Sequence, residues 1–346
     1  MKTAIVILNW NGAQMLRRFL PSVVAATPAD QGKIIVADNG STDDSLDVMA
    51  ADFPAVEVIR LDHNYGFAEG YNKALSRVGE GFDYYLLLNS DVETPEGWLQ
   101  PLLDYMDANP DVAACQPKLR AEHTRSHFEY AGAAGGYVDA LGYPFCRGRV
   151  FDTVEEDRGQ YDDVADVFWA TGAALMIRAD VYWKVGGLDG RFFAHQEEID
   201  LCWRLRSRGY RIVCVPQSVV YHVGGGTLPK ENPRKTFLNF RNNLLLLYKN
   251  LPERSLRRVM CLRLLLDALA SLVFLLKGES GSFKAVWQAR REFCRIKADF
   301  AADRAANLAA AQLESIPQQL PSSLLVAYHL KHKRTFRSLG KWWLTE

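Results

Sequence analysis

The apolar residues of the first hundred positions alternate between two periods. Short continuous runs at 4–8, 33–37, 56–61 and 84–88 have the length of strands covered on both faces. Between them, residues 14–25, a segment opening near Thr42, 67–78 and 97–108 carry apolar positions at helical spacing. This β-α-β-α-β-α-β rhythm predicts an α/β fold on parallel strands joined by right-handed crossovers. From 112 to 167 the pattern breaks up. Gly132, Gly135, Gly136, Gly142 and Gly148, interleaved with aromatics, predict extended segments and a long loop. Regular order returns with 168–177, a helix from Ala179, another over 197–209, and strands at 210–215 and 219–222. Beyond Pro233 the pattern is helical almost to the end, so the expected organisation is a catalytic unit over 1–250 and a helical extension over 251–346.

Composition narrows the function classes. Acidic and basic residues balance at 41 each, which argues against a nucleic-acid binder that relies on phosphate attraction. The six cysteines form no CxxC pair and no disulfide framework, which fits a reducing compartment. The apolar run at 4–8 is too short for a signal core, and no stretch reaches the ~20 apolar residues of a membrane span. A cytoplasmic protein is expected.

Candidate chemistry gathers at the strand ends, where open α/β sheets bind ligands. The fourth strand ends in Asn89-Ser90-Asp91, and a carboxylate there can grip a divalent cation that in turn grips a diphosphate. The second ends in Asp38-Asn39-Gly40-Ser41-Thr42-Asp43, where Asp38 can accept from a base N–H or a ribose hydroxyl. The third runs into Asn64-Tyr65-Gly66-Phe67, whose glycine lets backbone approach a ligand before a helix with free N–H groups. Neither a Walker loop nor GxGxxG is present, and a nucleotidyltransferase would want a basic, glycine-rich loop where Asn11-Gly12-Ala13-Gln14 stands. Further along, Glu197, Glu198 and Asp200 open a helix. Helical geometry sets Glu198 on the stripe of Leu201, Cys202 and Leu205 and lets Asp200 pair with Arg204. Of the three acids Glu198 is therefore the best placed to face the fold, kept ionised by the helix N-terminus, with Glu197 in reserve; the general-base role for it is what the resemblance given below implies. His222, before a glycine loop through Gly224, Gly225 and Gly226, is a candidate second metal ligand or diphosphate contact. Lys235 and Arg241 are candidate clamps for a departing diphosphate.

Taken in order, these segments, with Thr171-Gly172-Ala173 and 192–204, resemble the family 2 glycosyltransferases over roughly residues 3 to 250. The resemblance implies a GT-A type nucleotide-sugar-binding domain with a mainly parallel central sheet, followed by the helical C-terminal extension. Carried over by position, it implies that Asn9, Trp10, Asn11 and Asp38 hold the base, and that Ser90 lies near the ribose. It further implies that Asp91 binds Mg²⁺ or Mn²⁺ on the diphosphate. The family more often has an aspartate earlier in the strand-end cluster, whereas Asn89 and Ser90 leave one carboxylate. It usually has Glu-Asp where Glu197-Glu198 stand, which would set the base differently. The local character of Asn64-Tyr65-Gly66-Phe67 and of the His222 loop is similar to the rhamnosyltransferase branch. The function this implies is inverting transfer from a dTDP- or UDP-sugar, dTDP-rhamnose included, to a cell-surface polysaccharide or lipid-linked oligosaccharide. The alternative is a non-catalytic nucleotide-sugar-binding or scaffold subunit, degenerate at Asn89 and Glu198.

The extension adds a second theme. Leu262, Leu265, Leu266, Leu269, Leu272, Val273 and Leu276 recur with helical period around Arg263 and Asp267, which predicts an amphipathic helix that packs on the protein, on a homo-oligomer partner or on a membrane surface. The tail supports the membrane. Lys331, Lys333, Arg334, Arg337 and Lys341 interleave with Tyr328, Phe336, Trp342 and Trp343, as suits an interface with anionic lipid. Peripheral association with the inner face of a bacterial membrane is expected.

Overall fold

The computed structural model describes residues 3–224, 232–340 and 342. Gly225, Gly226, Lys341 and Trp343 of the sequence reading lie outside the described residues. The strands are β1 (Thr3–Asn9), β2 (Gly32–Asn39), β3 (Glu57–Leu61), β4 (Tyr84–Asn89), β5 (Val92–Glu93), β6 (Val112–Ala121), β7 (Gly136–Asp139), β8 (Pro144–Cys146), β9 (Arg149–Val150), β10 (Thr153–Val154), β11 (Ala165–Asp166), β12 (Ala174–Arg178), β13 (Arg211–His222) and β14 (Gln319–Leu320). The helices are α1 (Ala13–Ala26), α2 (Ser45–Asp52), α3 (Gly66–Leu75), α4 (Gln100–Ala108), α5 (Ala179–Lys184), α6 (Glu197–Ser207), α7 (Pro233–Asn250), α8 (Glu253–Leu276), α9 (Ser280–Ile296) and α10 (Ala301–Ala310).

A nine-stranded sheet in the order β11-β13-β6-β12-β4-β1-β2-β3, with β5 on β13, forms the centre. It is parallel through β4-β1-β2-β3 and mixed beyond, because β12 runs antiparallel to both β4 and β6. The continuous apolar runs have a direct cause. Successive side chains feed two cores on opposite faces, Ala4, Val6, Ile35 and Leu87 on one, Ile5, Ile7, Val36 and Leu86 on the other. With β2 and β4 flanking β1, the chain reverses direction across the sheet there, and the crevice opens at the carboxyl ends of β1, β2 and β4. The two predicted strands at 210–215 and 219–222 are one, β13, with a register irregularity between Val215 and Val219.

The irregular middle holds a second, five-stranded sheet, β10-β9-β8-β7-β14, whose last strand comes from the C-terminal extension. This corrects the expectation for the tail. Phe336 is fully buried, with its ring 4.9 Å from Tyr137, and Trp342 lies 5.9 Å from Phe145. Tyr328 packs 5.1 Å from Phe151. Tyr328, Phe336 and Trp342 pack on the second sheet and are spent on its core, so these three do not form a lipid-facing belt. Spacing on a linear sequence shows that aromatics and cations interleave, but not which of them a distant β-hairpin covers.

Helix α8 also departs from expectation. By length and composition it is long and apolar enough to cross a membrane. Arg263 and Asp267, the two charges within the apolar run, are buried and point into the protein.

Candidate active site

The crevice is built from the ends of β1 and β2, where Asn9 sits opposite Asp38. Asn9 Nδ2 donates to Asp38 Oδ1 at 3.4 Å and to Ser41 Oγ at 3.3 Å, and Asp38 Oδ2 accepts the Ser41 amide at 3.1 Å. Asn11, in the left-handed region at φ 49°, accepts the Thr42 amide at 2.7 Å on its side-chain oxygen. These bonds lock the two strand-end turns together and leave Trp10 46% exposed beside them, free to meet a planar ring. A Cβ on Gly12 would stand 2.3 Å from Asn9 Oδ1 and 3.7 Å from Ser90 Oγ, so Ser90 reaches the same corner. Asn9 Oδ1 is buried without a hydrogen-bond partner, an acceptor left for a ligand.

The corner after β4 is electrostatically unusual. Pairing of β13 with β5 sets His222 against Val92 and beside Asp91. His222 Nε2 lies 3.1 Å from Asp91 Oδ1 and 3.4 Å from Asn89 Nδ2, while Nδ1 lies 3.3 Å from Glu129 Oε1 without the angle of a hydrogen bond. Burial works against an imidazolium here, but the carboxylates of Glu129 and Asp91 overcome it and hold the His222 pKa up to about 10. Burial would likewise raise Asp91, yet its bond to His222 keeps it below the usual carboxylate range. Among the described residues, no group of three or more His, Cys, Asp or Glu is arranged to hold a metal ion. The protein offers a carboxylate and an imidazole whose far nitrogen faces a second carboxylate, the arrangement that orients a ligating histidine. That pair fits a divalent cation only if the cation displaces the proton His222 shares with Asp91 and the remaining positions are filled by diphosphate oxygens and water.

The third element is the entrance to α6. Phe193, His195 and Gln196 all have positive φ, at 66°, 72° and 70°. Such conformations persist in non-glycine residues only when the surroundings impose them. Here the constraint is visible from both sides. Phe193 O accepts the Phe67 and Ala68 amides at 2.6 and 3.3 Å, which uses the free N–H groups of α3 to hold the loop. Asn242 of α7 donates to the carbonyls of Phe192, Ala194 and His195 at 3.0, 2.8 and 2.8 Å. Gly66, at φ 78°, belongs to this contact, since a Cβ on it would meet Phe193 O at 2.7 Å.

Of the three acids on α6, Asp200 is structural. It accepts from Arg204 at 2.9 Å, Lys249 at 2.8 Å and Asn250 at 2.8 Å. Glu197 and Glu198 each keep a buried Oε2 without a partner. Glu197 is 4% exposed, and Glu198 is the more accessible of the two. Burial pushes Glu198 up to about 7, and burial with the neighbouring Glu198 charge pushes Glu197 well above its usual range. The helix N-terminus was expected to keep Glu198 ionised. Desolvation outweighs it, because macrodipole stabilisation of about 0.3–1 kcal/mol is less than the cost of burying a carboxylate. Gly172 connects this acid to the β4 corner. A Cβ there would lie 3.8 Å from Glu198 Cβ and 3.1 Å from Phe67 Cζ, and the next residue's carbonyl accepts the Asn89 amide at 3.0 Å.

Lys235 and Arg241 sit on α7. Arg241 donates to the Phe192 and Arg191 carbonyls at 2.8 and 3.2 Å, and burial lowers its pKa. It lines an open groove of about 560 Å³ with Arg234, Phe193, Phe237 and Gln288. Lys235 lies close enough to His195 to help burial lower that ring's pKa to about 4. One residue of this architecture carries no sequence signal: Glu129 lies in the irregular middle, where no period marks which side chains turn inward.

The family description Glycosyl transferase family 2 matches residues 4–185, just over half of the 346-residue chain. An N-acetylglucosaminyl-diphospho-decaprenol L-rhamnosyltransferase of Mycobacterium tuberculosis (strain CDC 1551 / Oshkosh) is 27% identical over 231 residues, 63% of this chain and 75% of that protein. Rhamnosyltransferase WbbL of Escherichia coli (strain K12) is 25% identical over 225 residues, 63% of this chain and 82% of that one. Among solved structures, GalNAc-T7 with UDP, GalNAc and Mn²⁺ superposes with a TM-score of 0.58 at 16% identity over 72% of this chain and 48% of its own length. S. aureus TarS 1-349 in complex with UDP-GlcNAc does so with a TM-score of 0.55 at 14% identity over 90% of this chain and 89% of that one. At these identities the structures bear on the fold, which is the GT-A fold.

Proposed function

The chain belongs to glycosyl transferase family 2 and is a glycosyltransferase; from that premise we propose that it transfers rhamnose or a related sugar from a dTDP- or UDP-linked donor to a lipid-linked oligosaccharide or growing polysaccharide, with inversion. The names of the M. tuberculosis and E. coli relatives support the sugar, and the diphospho-decaprenol of the former supports the lipid-linked acceptor. The observation that carries the catalytic reading is the Glu198 carboxyl. It is shielded from water, close to Gly172, and titrates near neutrality, which suits a group that must take a proton and release it again.

In this reading Trp10 stacks on the base, Asp38 and Asn9 accept or donate at its edge and the ribose, and Asn11 holds the turn that shapes them. Ser90 stands at the ribose side. Gly66 allows the close backbone contact that fixes the loop before α6. Asp91 and His222 would hold Mg²⁺ or Mn²⁺, with Glu129 orienting His222. When bound, the cation neutralises charge that builds on the leaving diphosphate. Glu198 removes the acceptor hydroxyl proton as that oxygen attacks the anomeric carbon from the face opposite the nucleotide. The C1–oxygen bond to the diphosphate breaks, the new glycosidic bond forms with inverted configuration, and the proton stays on the Glu198 carboxyl until water takes it. Lys235 and Arg241 would steady the acceptor or the leaving diphosphate. The catalytic unit spans residues 1–250, and 251–346 form an extension that docks on it and places the enzyme peripherally at the inner face of the membrane.

Purified protein offered dTDP-rhamnose, UDP-sugars and a lipid-diphosphate oligosaccharide acceptor, with and without Mn²⁺, tests this reading. Donor-dependent glycosylation that requires Glu198 is expected. Donor binding with neither hydrolysis nor transfer for any acceptor would replace it with the scaffold reading.

A further inference from the structure

Helix α8 wears its polarity inside out. Its buried residues are Val259, Arg263, Asp267 and Ser271. The exposed side carries Leu262, Leu265, Leu269, Leu272 and Leu276, which are between 38% and 79% exposed. Their spacing of three and four residues puts them on a single stripe. A helix packed on a protein in water presents the opposite arrangement.

The orientation is fixed by bonds. Arg263 Nη1 donates to Leu141 O at 3.0 Å and to Asn243 Oδ1, and its guanidinium sits 4.3 Å from the Tyr143 ring. Asp267 accepts from Arg263 at 3.2 Å and from Arg290 of α9 at 2.5 Å. Turning the helix to bury its leucines would leave a buried charge cluster unpaired, so the leucine face is held outward. The same bonds rule out a span, because one face of the helix is joined to α7, α9 and the β7–β8 turn along its middle.

What covers the stripe is indicated by its ends. The stripe continues into Arg258 and Arg254, with Arg257 beside them, and Lys277 follows Leu276; Arg254 also reaches the exposed Glu314 carboxylate at 3.6 Å, a surface pair worth little against a charged bilayer. At about 1.5 Å per residue the apolar part is roughly 21 Å long, and Trp287 of α9 is 41% exposed. A second copy laid on this face, parallel or antiparallel, would bring cation against cation at both ends. Anionic headgroups at both ends with acyl chain between them match it. We propose that α8 is a membrane-docking helix, lying flat in the interface of an anionic bilayer with the Leu262–Leu276 stripe in the acyl region and Arg254, Arg257, Arg258 and Lys277 among the phosphates. The choice of lipid over protein rests in part on the lipid-linked acceptor of the proposed function. The geometry of the face does not.

The full chain floated on a sucrose gradient with phosphatidylglycerol/phosphatidylcholine vesicles, and with phosphatidylcholine alone, tests the docking. Flotation with the anionic vesicles, reduced about tenfold with neutral ones, is expected. Replacing Leu265, Leu269 and Leu272 together by Glu should abolish flotation while circular dichroism, melting and dTDP binding stay as in wild type. Should the triple variant not fold, Leu276→Glu alone, at the most exposed position, should weaken flotation several-fold. Wild-type protein that stays at the bottom with anionic vesicles overturns the proposal, as does a folded triple variant that floats like wild type. A lipid-free dimer in sedimentation equilibrium that the triple variant breaks also overturns it, and makes the stripe a subunit contact. Donor binding and hydrolysis are measured without lipid. Their loss alone refutes the enzymatic reading and leaves the docking face standing, and failure to float with intact donor turnover does the reverse.

Discussion

Substitution of Gly66 by alanine isolates the contact between the crevice proposed to bind the donor and α6, the helix proposed to carry the base. Gly66 and Gly97 both have a left-handed φ, 78° and 74°, where a methyl group costs roughly 1–2 kcal/mol. Their surroundings differ. A Cβ at Gly97 has nothing within 4 Å, whereas at Gly66 it stands 2.5 Å from the Phe193 ring and 2.7 Å from Phe193 O. The ring can swing, but that oxygen cannot retreat without loosening its bonds to the Phe67 and Ala68 amides. Overpacking against fixed backbone adds about 1–3 kcal/mol, so Gly66→Ala should destabilise by roughly 2–5 kcal/mol in all and Gly97→Ala by the strain alone. Urea denaturation of both variants measures this. Activity should separate them further, because Phe193 stands four residues before Glu197 and its displacement misaligns the carboxyls of α6. An ångström-scale misplacement costs on the order of 100-fold in rate, so Gly66→Ala should lose turnover while Gly97→Ala keeps it. Equal stability and equal turnover in the two variants would refute the claim that this contact positions the catalytic helix.

Glu198→Gln should lower transfer on the order of 10²–10⁴-fold with donor affinity unchanged in calorimetry. Wild-type turnover should rise with pH through a limb near 7, the value to which burial pushes Glu198, and in Glu198→Gln that limb should vanish. The sign for stability is opposite. With a folded pKa near 7 against an ordinary 4.5, the acid stays protonated in the native state while the unfolded chain releases the proton, so its contribution declines as pH rises from about 4.5 to 7. Melting temperature followed over that window should fall less steeply in Glu198→Gln than in wild type. Glu129→Gln should weaken Mn²⁺ binding in the presence of nucleoside diphosphate about 10–100-fold, read as a lost metal-dependent melting shift, and unchanged metal affinity would remove Glu129 from the site. Phe336→Ala should destabilise by about 3–5 kcal/mol in urea titration, since that ring is fully buried against the second sheet; a near-neutral effect would restore the tail to the surface.

What could be read from the chain and what could not divide along one physical line. The runs at 4–8, 33–37 and 84–88 read as central strands because neighbours on both faces make every position apolar, and the structure buries them in two cores. Asn9 and Asp38 could be paired in advance because adjacent parallel strands in register must end side by side. The second sheet could not be anticipated. Its strands are two to four residues long, too short for a period of two to emerge, and β14 joins β7 from almost two hundred residues away. Glu129 depends on that same segment. Helix α8 exposed a subtler limit: a helical period separates an apolar from a polar stripe but does not say which faces the protein. Only the partners of Arg263 and Asp267, remote in sequence, decide it.

Those partners also give the extension a direct hold on the chemistry. Asn243 of α7 is buried at the junction, where its side-chain oxygen accepts from Arg263 of α8 and its amide donates to Gln196 Oε1 at 2.8 Å and Gly142 O at 2.7 Å. Gln196 precedes Glu197 at φ 70° and donates onward to Asn239 O at 3.1 Å. A chain of buried bonds therefore runs from the face that holds the leucine stripe outward to the residue that sets the start of α6. Asn243→Leu keeps the volume and removes the bonds, leaving Arg263, Gln196 and the Gly142 carbonyl each one partner short, with a cost of about 1–3 kcal/mol per stranded group. If the chain only stabilises, turnover per folded molecule should be unchanged once denatured protein is discounted. If it positions the carboxyls, kcat should fall while the KM for donor stays put, since the turn proposed to bind the base, at Asn9, Asn11 and Asp38, is bonded within itself and to β1 and β2. We expect the second outcome. Steady-state kinetics on Asn243→Leu alongside Phe336→Ala, a destabilised variant without that link, decide it: parallel losses in kcat for the two would reduce the Arg263–Asn243–Gln196 chain to packing.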